Sequence, residues 1–278
     1  MWLLWILSLA AASFLLPATG EVVDNFKPCN NFFLDGTPPK LRPKNSARIC
    51  QLYENRYRFA TMYDEDRRIP TFSAYIYQPG QGQRWDEWKI EPQLALPINR
   101  EYHRHKSMEL EETSGIDPIS LANSQAVEED YRNADRYDRG HLVPALHQPD
   151  QDSKDATFTL TNIVPQLHAL NNGEWNAYEE NINAAGCRAL YILVGAVPGN
   201  TNLKNRVNIP SHIWAAGCCV MEKNRRKPWA VIAPNNENRV DRPTLEDLQT
   251  QLAGLYRQER VDLFNGACNT APGPHNVA

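Results

Sequence analysis

The chain has 278 residues, 42% of them hydrophobic and 22% charged, with a formal net charge of −4. That is ordinary globular composition, long enough for one large domain or two small ones with ample core. The acidic balance argues against a protein that holds nucleic acid by bulk electrostatics.

The first twenty residues, MWLLWILSLAAASFLLPATG, carry no charge and end in small residues. They are expected to be a secretory signal peptide cleaved after Gly20. Pro17 interrupts the run, and no later segment is apolar and long enough to span a membrane. Residues 21–50 are rich in Pro and Asn and read as an irregular arm tied down by Cys29 and Cys50. RYRFATMYD and IPTFSAYIYQP then alternate large and polar residues around DEDRR, a hairpin. Residues 79–135 are polar and broken by PGQGQ and EETSGIDP, which predicts loops with short helices. TFTLTNIVPQ (157–166) reads as a strand with an abrupt end. NNGEWNAYEENINAAG (171–186) reads as a helix capped by Asn171 or Asn172, with Trp175, Tyr178 and Ile182 on one stripe and Gly186 ending it. ALYILVGAVPG is a buried strand. HIWAAGCCVME and PWAVIAPNN are two more, separated by the basic turn KNRRK. Thr244 opens a last helix with Leu245, Leu248, Leu252 and Leu255 on its apolar face and Asp247 completing the cap. The sum is an α+β fold with an antiparallel or mixed sheet.

Six cysteines, Cys29, Cys50, Cys187, Cys218, Cys219 and Cys268, follow the expected cleavage site. In a secreted chain they suit up to three disulfides. Cys218 and Cys219 are adjacent, so each is expected to pair elsewhere. No CxxC pair or N-x-S/T sequon is present, which disfavours a zinc ribbon and N-glycosylation.

The chemistry concentrates between residues 138 and 179. His141 closes the stretch DRGH. Asn162 is expected at the end of the following strand, Asn171 at the start of the helix and Glu179 inside it. Eight residues apart on a helix, Asn171 and Glu179 differ by about 80° around the axis and share a broad face, with Trp175 between them. One amide oxygen is a poor zinc site, because zinc takes three or four His, Cys or carboxylate ligands. It suits Mg²⁺, which keeps most of its waters and takes few protein ligands. A carboxylate can hold those waters, and a neutral His can take a proton from an attacking water. Together these residues suit hydrolysis of a phosphodiester.

DRGH, then TNIVPQ, then Asn171, Trp175 and Glu179 in order, resembles the DNA/RNA non-specific endonuclease family, the ββα-metal (His-Me finger) nucleases that include the Serratia-type nuclease and endonuclease G. The upstream YRFATMYDEDRRIPTFSAYIY is similar to the secreted endonuclease domain-containing 1 proteins within it. The resemblance runs from about Cys50 to the C-terminal helix. It implies a ββα-metal nuclease domain over residues 51–278, with a central sheet flanked by helices, behind the 21–50 arm and the 1–20 signal peptide. It implies His141 as general base, Asn171 as the single protein ligand to Mg²⁺ (or a Mn²⁺/Ca²⁺-type divalent cation) and Glu179 as the carboxylate holding the ion's water. Asn162 becomes the amide that shapes the site, and Arg139 the motif arginine. Arg84, in QRWDEWKIEP, becomes the candidate for contacting phosphate. The implied substrate is DNA, RNA or both, cleaved to leave 5′-phosphate ends by a secreted enzyme without a membrane anchor. Asn172 follows Asn171 directly, and the nine-residue step from Asn162 in the family favours Asn171.

Plainer readings stand beside these. His141 can be a buried structural histidine, Asn171 a helix cap, Glu179 a solvated charge, and Arg139 a buttress in an internal ion pair. His147 and His168 read as surface or packing residues, HRHK (103–106) as a solvated loop, and Trp85, Trp88, Trp175, Trp214 and Trp229 as core. KNRRKP reads as an exposed turn. Two other functions remain: a nuclease fold without activity that binds nucleic acid or a protein partner, and a zinc hydrolase built on His103, His105 and His141, which lacks a coherent ligand spacing.

Overall fold

Runs of β-branched and aromatic residues, buried almost continuously along each strand, build a wide sheet. A computed structural model describes residues 21–41, 43–96 and 104–268; the expected signal peptide and His103 lie outside the described residues. Strands β1 (Glu21–Val23), β2 (Ser46–Tyr53), β3 (Arg56–Asp64) and β4 (Ile69–Ile76) come first. A short pair, β5 (Lys89–Ile90) and β6 (Glu109–Leu110), and a ribbon, β7 (Tyr137–His141) and β8 (Ile163–Leu167), follow. The chain continues with β9 (Ala189–Val197), the hairpin β10 (Thr201–Leu203) and β11 (Val207–Ile209), then β12 (His212–Val220) and β13 (Arg226–Pro234). Seven strands form one antiparallel sheet in the order β1-β2-β3-β4-β9-β12-β13. With its flanking helices the fold is α+β, and residues 46–50 of the N-terminal arm already belong to β2.

The sheet is buried on both faces. Ile192, Val194, Ala196, Ile213 and Ala215 face one apolar cluster, which includes Leu142, Val143, Ile163 and Trp175 from the ribbon and its helix. Leu193, Val197, Trp214 and Ala216 face the other, completed by Phe26 and Phe33 of the arm and by the Leu245–Tyr256 helix. The alternation explains the neighbouring cysteines. Cys219 faces the first cluster and bonds Cys187, while Cys218 faces the second and bonds Cys268. Cys29–Cys50 ties the arm to β2.

The β3–β4 hairpin, the three strands of the C-terminal half and the last helix form where the sequence pattern puts them. Thr244 caps that helix, its Oγ1 accepting the Asp247 N–H at 3.1 Å. Leu245, Leu248 and Leu252 are buried, but Leu255, at the edge of the stripe in the last turn, is exposed.

Two elements differ from expectation. The strand expected over 157–166 is extended only as β8. Leu160–Asn162 is a 3₁₀ turn, closed by the Asn162 N–H on the Thr159 carbonyl at 3.0 Å, so Asn162 precedes the strand instead of ending it. The helix expected over 171–186 is one turn, His168–Asn171, and then a separate helix, Glu174–Glu180. Gly173 sits at the break, where a Cβ would come within 2.4 Å of the Ala169 carbonyl and of the Asn238 side chain. Asn238 Oδ1 accepts the Glu174 N–H at 2.8 Å, so the cap comes from a distant loop, and neither Asn171 nor Asn172 provides it. The helix ends at Glu180, so Gly186 lies beyond it. No helix among the described residues is long and apolar enough to cross a membrane.

Replacing Cys218 and Cys268 together with Ala reopens a closure of 50 residues on the far face of the sheet. The expected result is a loss of about 2–4 kcal/mol in stability, read from the urea midpoint.

Candidate active site

The site is built on the β7–β8 ribbon, in which His141 lies opposite Ile163 and Asp138 opposite Gln166. Only glycine fits at 140, because a Cβ there would meet Gln166 Oε1 at 2.2 Å. Just past His141 the chain is pinned by Asn162, which is fully buried. Its Oδ1 accepts from the Val143 N–H (3.1 Å) and from Ser73 Oγ (3.3 Å). Its Nδ2 donates to the carbonyls of Val143 and Thr157, both at 3.0 Å. Every hydrogen-bonding capacity of the amide is used, so Asn162 positions the ribbon and has no atom left for substrate.

The His141 ring is packed between Phe158 (centroids 4.9 Å apart) and Trp88 (5.3 Å). One ring nitrogen bonds the Arg139 backbone carbonyl. The other, Nε2, is closed off from solvent with no partner among the described residues. The first must therefore be Nδ1–H, which leaves the Nε2 lone pair free. Burial, aided by the Arg84 charge and opposed by Asp86, lowers the imidazole to about 3, so it is neutral at physiological pH.

Asn171 and Asn172 both donate through Nδ2 to Asp138 Oδ2, at 2.9 and 2.7 Å. His168 Nδ1 approaches the other carboxylate oxygen at 3.0 Å. Asp138 is thus the hub of this side of the site, although sequence reasoning gave it no role. Its only signal was membership of DRGH. Because a carboxylate accepts and cannot donate to these amides, the Asn171 amide is oriented, and its Oδ1 has no partner among the described residues. Asn172 is exposed and also bonds the His168 carbonyl at 3.1 Å, within its own turn.

Glu179 accepts the Trp175 indole N–H at 3.0 Å. Burial raises its carboxyl to about 8, against the opposing effects of that hydrogen bond and of Arg84. Its backbone carbonyl, one of the unpaired carbonyls at the helix end, bonds His147 Nε2 at 2.9 Å. His147 Nδ1 meets Tyr75 Oη at 2.8 Å. The carbonyl requires Nε2–H, so Nδ1 accepts from the tyrosine, and burial lowers this histidine to about 4. His147 is fully buried and holds the turn that carries Glu179, whereas His168 is exposed.

Arg139 does not reach outward. Its guanidinium lies 5.0 Å from the Trp88 ring centroid and 5.9 Å from that of Tyr131, with Nη2 3.7 Å from Glu128 Oε1. It presses Trp88 onto His141 and fits the buttress reading. Arg84 is exposed, bonded to Asp86 at 2.8 Å, with its guanidinium 5.2 Å from the Phe158 centroid. It is the charge that both His141 and Glu179 feel.

The donor set fits a hydrated hard cation: a free oxygen on an amide whose N–H is held by a carboxylate, and one further carboxyl eight residues on in the chain. No group of three or more His, Cys, Asp or Glu able to hold a metal occurs among the described residues, and His105 is bonded to Glu109 at 2.9 Å. A groove of about 1250 Å³ is lined by Tyr178, Trp229, Arg242, Val261 and the Cys187–Cys219 bond.

Comparison with known proteins adds the following. The family described as DNA/RNA non-specific endonuclease matches residues 38–270. The human endonuclease domain-containing 1 protein is 34% identical over 215 residues, covering 73% of this chain and 41% of that protein. The mouse protein is 33% identical over 279 residues, covering 96% and 52%. The chain thus spans about half the length of these relatives, or less. Human mitochondrial endonuclease G is 42% identical over 60 residues, 21% of this chain and 20% of that one. A chain from the crystal structure of the EndoG/EndoGI complex shares the fold, with a TM-score of 0.51 at 19% identity over 74% of this chain and 83% of that chain.

His147 gives a pH test of this geometry. Its folded value is depressed, so its contribution is complete above about 6.5 and is lost as pH falls toward about 4. His147→Gln keeps an N–H for Glu179 but does not titrate. The stability advantage of the wild type over it is expected to shrink between pH 6.5 and 4 by up to about 1.4 kcal/mol per pH unit, measured by urea denaturation at each pH.

Proposed function

This chain belongs to the DNA/RNA non-specific endonuclease family, and from that footing we propose that it is a secreted, metal-dependent endonuclease that hydrolyses phosphodiester bonds of DNA, RNA or both, with His141 as general base. The observation that carries the reading is the state of His141: neutral, fixed through Nδ1–H to its own strand, with Nε2 free.

His141 Nε2 takes a proton from water as the water oxygen attacks phosphorus. The bond from phosphorus to the 3′ oxygen breaks with its electron pair on that oxygen, which takes a proton from solvent, giving a 3′-hydroxyl and a 5′-phosphate. A base at about 3 is weak in the closed site, and an incoming phosphate anion raises it by favouring the imidazolium. Arg84, exposed over Phe158, would meet that phosphate, exchanging its bond to Asp86 for it. Asn162 and Arg139 position His141 from behind. Asn171 Oδ1 and the Glu179 carboxylate would hold a hydrated Mg²⁺, or a Mn²⁺/Ca²⁺-type ion, with Asp138 orienting the amide. A bound divalent cation supplies Lewis-acid stabilisation of charge on the phosphate and the departing oxygen. Three disulfides suit an oxidising, extracellular compartment.

Plasmid DNA and RNA, each incubated with Mg²⁺ or with EDTA, test the reading. Cleavage of at least one substrate is expected with Mg²⁺ only, slowed about 10²- to 10⁴-fold by His141→Ala. Cleavage that survives His141→Ala sinks the mechanism, and no cleavage with any divalent ion favours a nuclease fold that only binds.

Asp138→Ala frees both asparagine amides. It is expected to raise the Mg²⁺ concentration for half-maximal cleavage about 10- to 100-fold.

A further inference from the structure

Trp85 departs from the expectation that the tryptophans are core: it is 54% exposed, the one aromatic among the large exposed apolar side chains of the described residues. Its place in the chain is telling. Arg84 before it lies over Phe158, and Trp88 after it lies against His141, so the 84–88 segment arches over the general base. At 3.8 Å per Cα step, the Trp85 Cα is about 4 Å from that of Arg84 and within about 11 Å of that of Trp88.

The segment is anchored. Gln151 brackets Gln83, accepting its N–H at 2.9 Å and donating to its carbonyl at 3.1 Å. Gly80 N–H reaches the Gln148 carbonyl, and Lys89 N–H the Phe158 carbonyl, at 3.1 and 2.8 Å. A held loop that leaves an indole in water beside an exposed arginine forgoes the burial a tryptophan normally gains.

We infer that Trp85 is a substrate-binding residue, a platform on which a nucleobase next to the scissile phosphate stacks while Arg84 meets the phosphate. Every base has a π-face, so such a platform binds without reading sequence. It also explains how a chain of net charge −4 can hold nucleic acid: aromatic stacking supplies affinity that bulk charge does not. A base inside a duplex is already stacked, so the platform favours single-stranded or unstacked segments. The inference deepens the nuclease reading and takes from it only that nucleic acid enters at this mouth.

The test is equilibrium binding in EDTA, where no cleavage is expected, of labelled single-stranded oligothymidylate and oligouridylate to wild type, Trp85→Ala and Trp85→Phe. Because Trp85 is exposed, its loss should leave folding intact. Trp85→Ala is expected to weaken binding about 5- to 100-fold for at least one oligomer, with Trp85→Phe retaining most of the affinity. Abasic oligomers should bind the wild type more weakly than the intact ones and lose far less on Trp85→Ala. Equal affinity of wild type and Trp85→Ala for both intact oligomers, or no binding of either by the wild type, overturns the proposal. Cleavage of plasmid and RNA with Mg²⁺ is scored separately. Tryptophan-dependent binding without cleavage retires the nuclease reading and keeps the platform; cleavage with KM unchanged by Trp85→Ala does the reverse.

Discussion

The structure depends most on one buried amide. Asn162 bonds both the N–H and the carbonyl of Val143, as a neighbouring strand would, and also reaches Ser73 on β4. Through it the segment after His141 is fastened to the large sheet. The fastening extends inward. Ser73 bonds Thr61 at 3.0 Å, and Gln51 Nε2 donates to both Thr61 and Thr161, at 3.2 and 3.0 Å. Thr161 bonds Thr159 (3.2 Å), which reaches the Glu91 carboxyl (3.3 Å). Gln51 supplies the two N–H groups from which both branches run, and each branch ends on an acceptor, Asn162 Oδ1 or Glu91. Direction is thereby fixed along the chain of hydroxyls. A break anywhere strands a buried polar group, at a cost of about 1–3 kcal/mol.

The same dryness sets the electrostatics. Burial drives His141 down to about 3, so it is neutral at pH 7, and pushes Glu179 up to about 8. Arg84 is the cation felt by both, at the exposed rim. With a neutral imidazole inside and Arg84, paired with Asp86, at the rim, such a site would meet a phosphate through one local cation instead of a basic surface. That reconciles an acidic chain with membership of a nuclease family.

Much of this was legible in the sequence because it is local. Alternating runs located β3 and β4, apolar runs located β9, β12 and β13, and Thr244 with Asp247 located the last helix. DRGH with Asn171 and Glu179 marked the candidate site, and the structure gathers His141, Arg139, Asn162 and Arg84 around one ribbon and its covering loop. What stayed hidden comes from residues remote in sequence. Asn238 caps the Glu174–Glu180 helix from 64 residues away, so no local pattern could place the break at Gly173. Asp138 holds Asn171 across 33 residues and His147 holds Glu179 across 32. Trp85 read as core because tryptophan usually is; its exposure follows from Gln151 tethering the loop, which composition does not reveal.

The helix that carries Glu179 has only seven residues, too few to persist alone in water. Its placement is imposed at both ends. Asn238 and the missing Cβ of Gly173 fix its start, and His147, backed by Tyr75 on β4, fixes its end. His147 can do this only while neutral, since Nδ1 must accept from the tyrosine as Nε2–H donates to the carbonyl. Burial secures that state across the physiological range. A histidine with no reacting partner thus has a strict electronic requirement of its own. The ribbon is riveted to β4 through Ser73 and the helix through Tyr75, residues two apart on one strand. The sheet therefore sets the distance between His141 and the Glu179 carboxyl, and neither short element has to find it unaided.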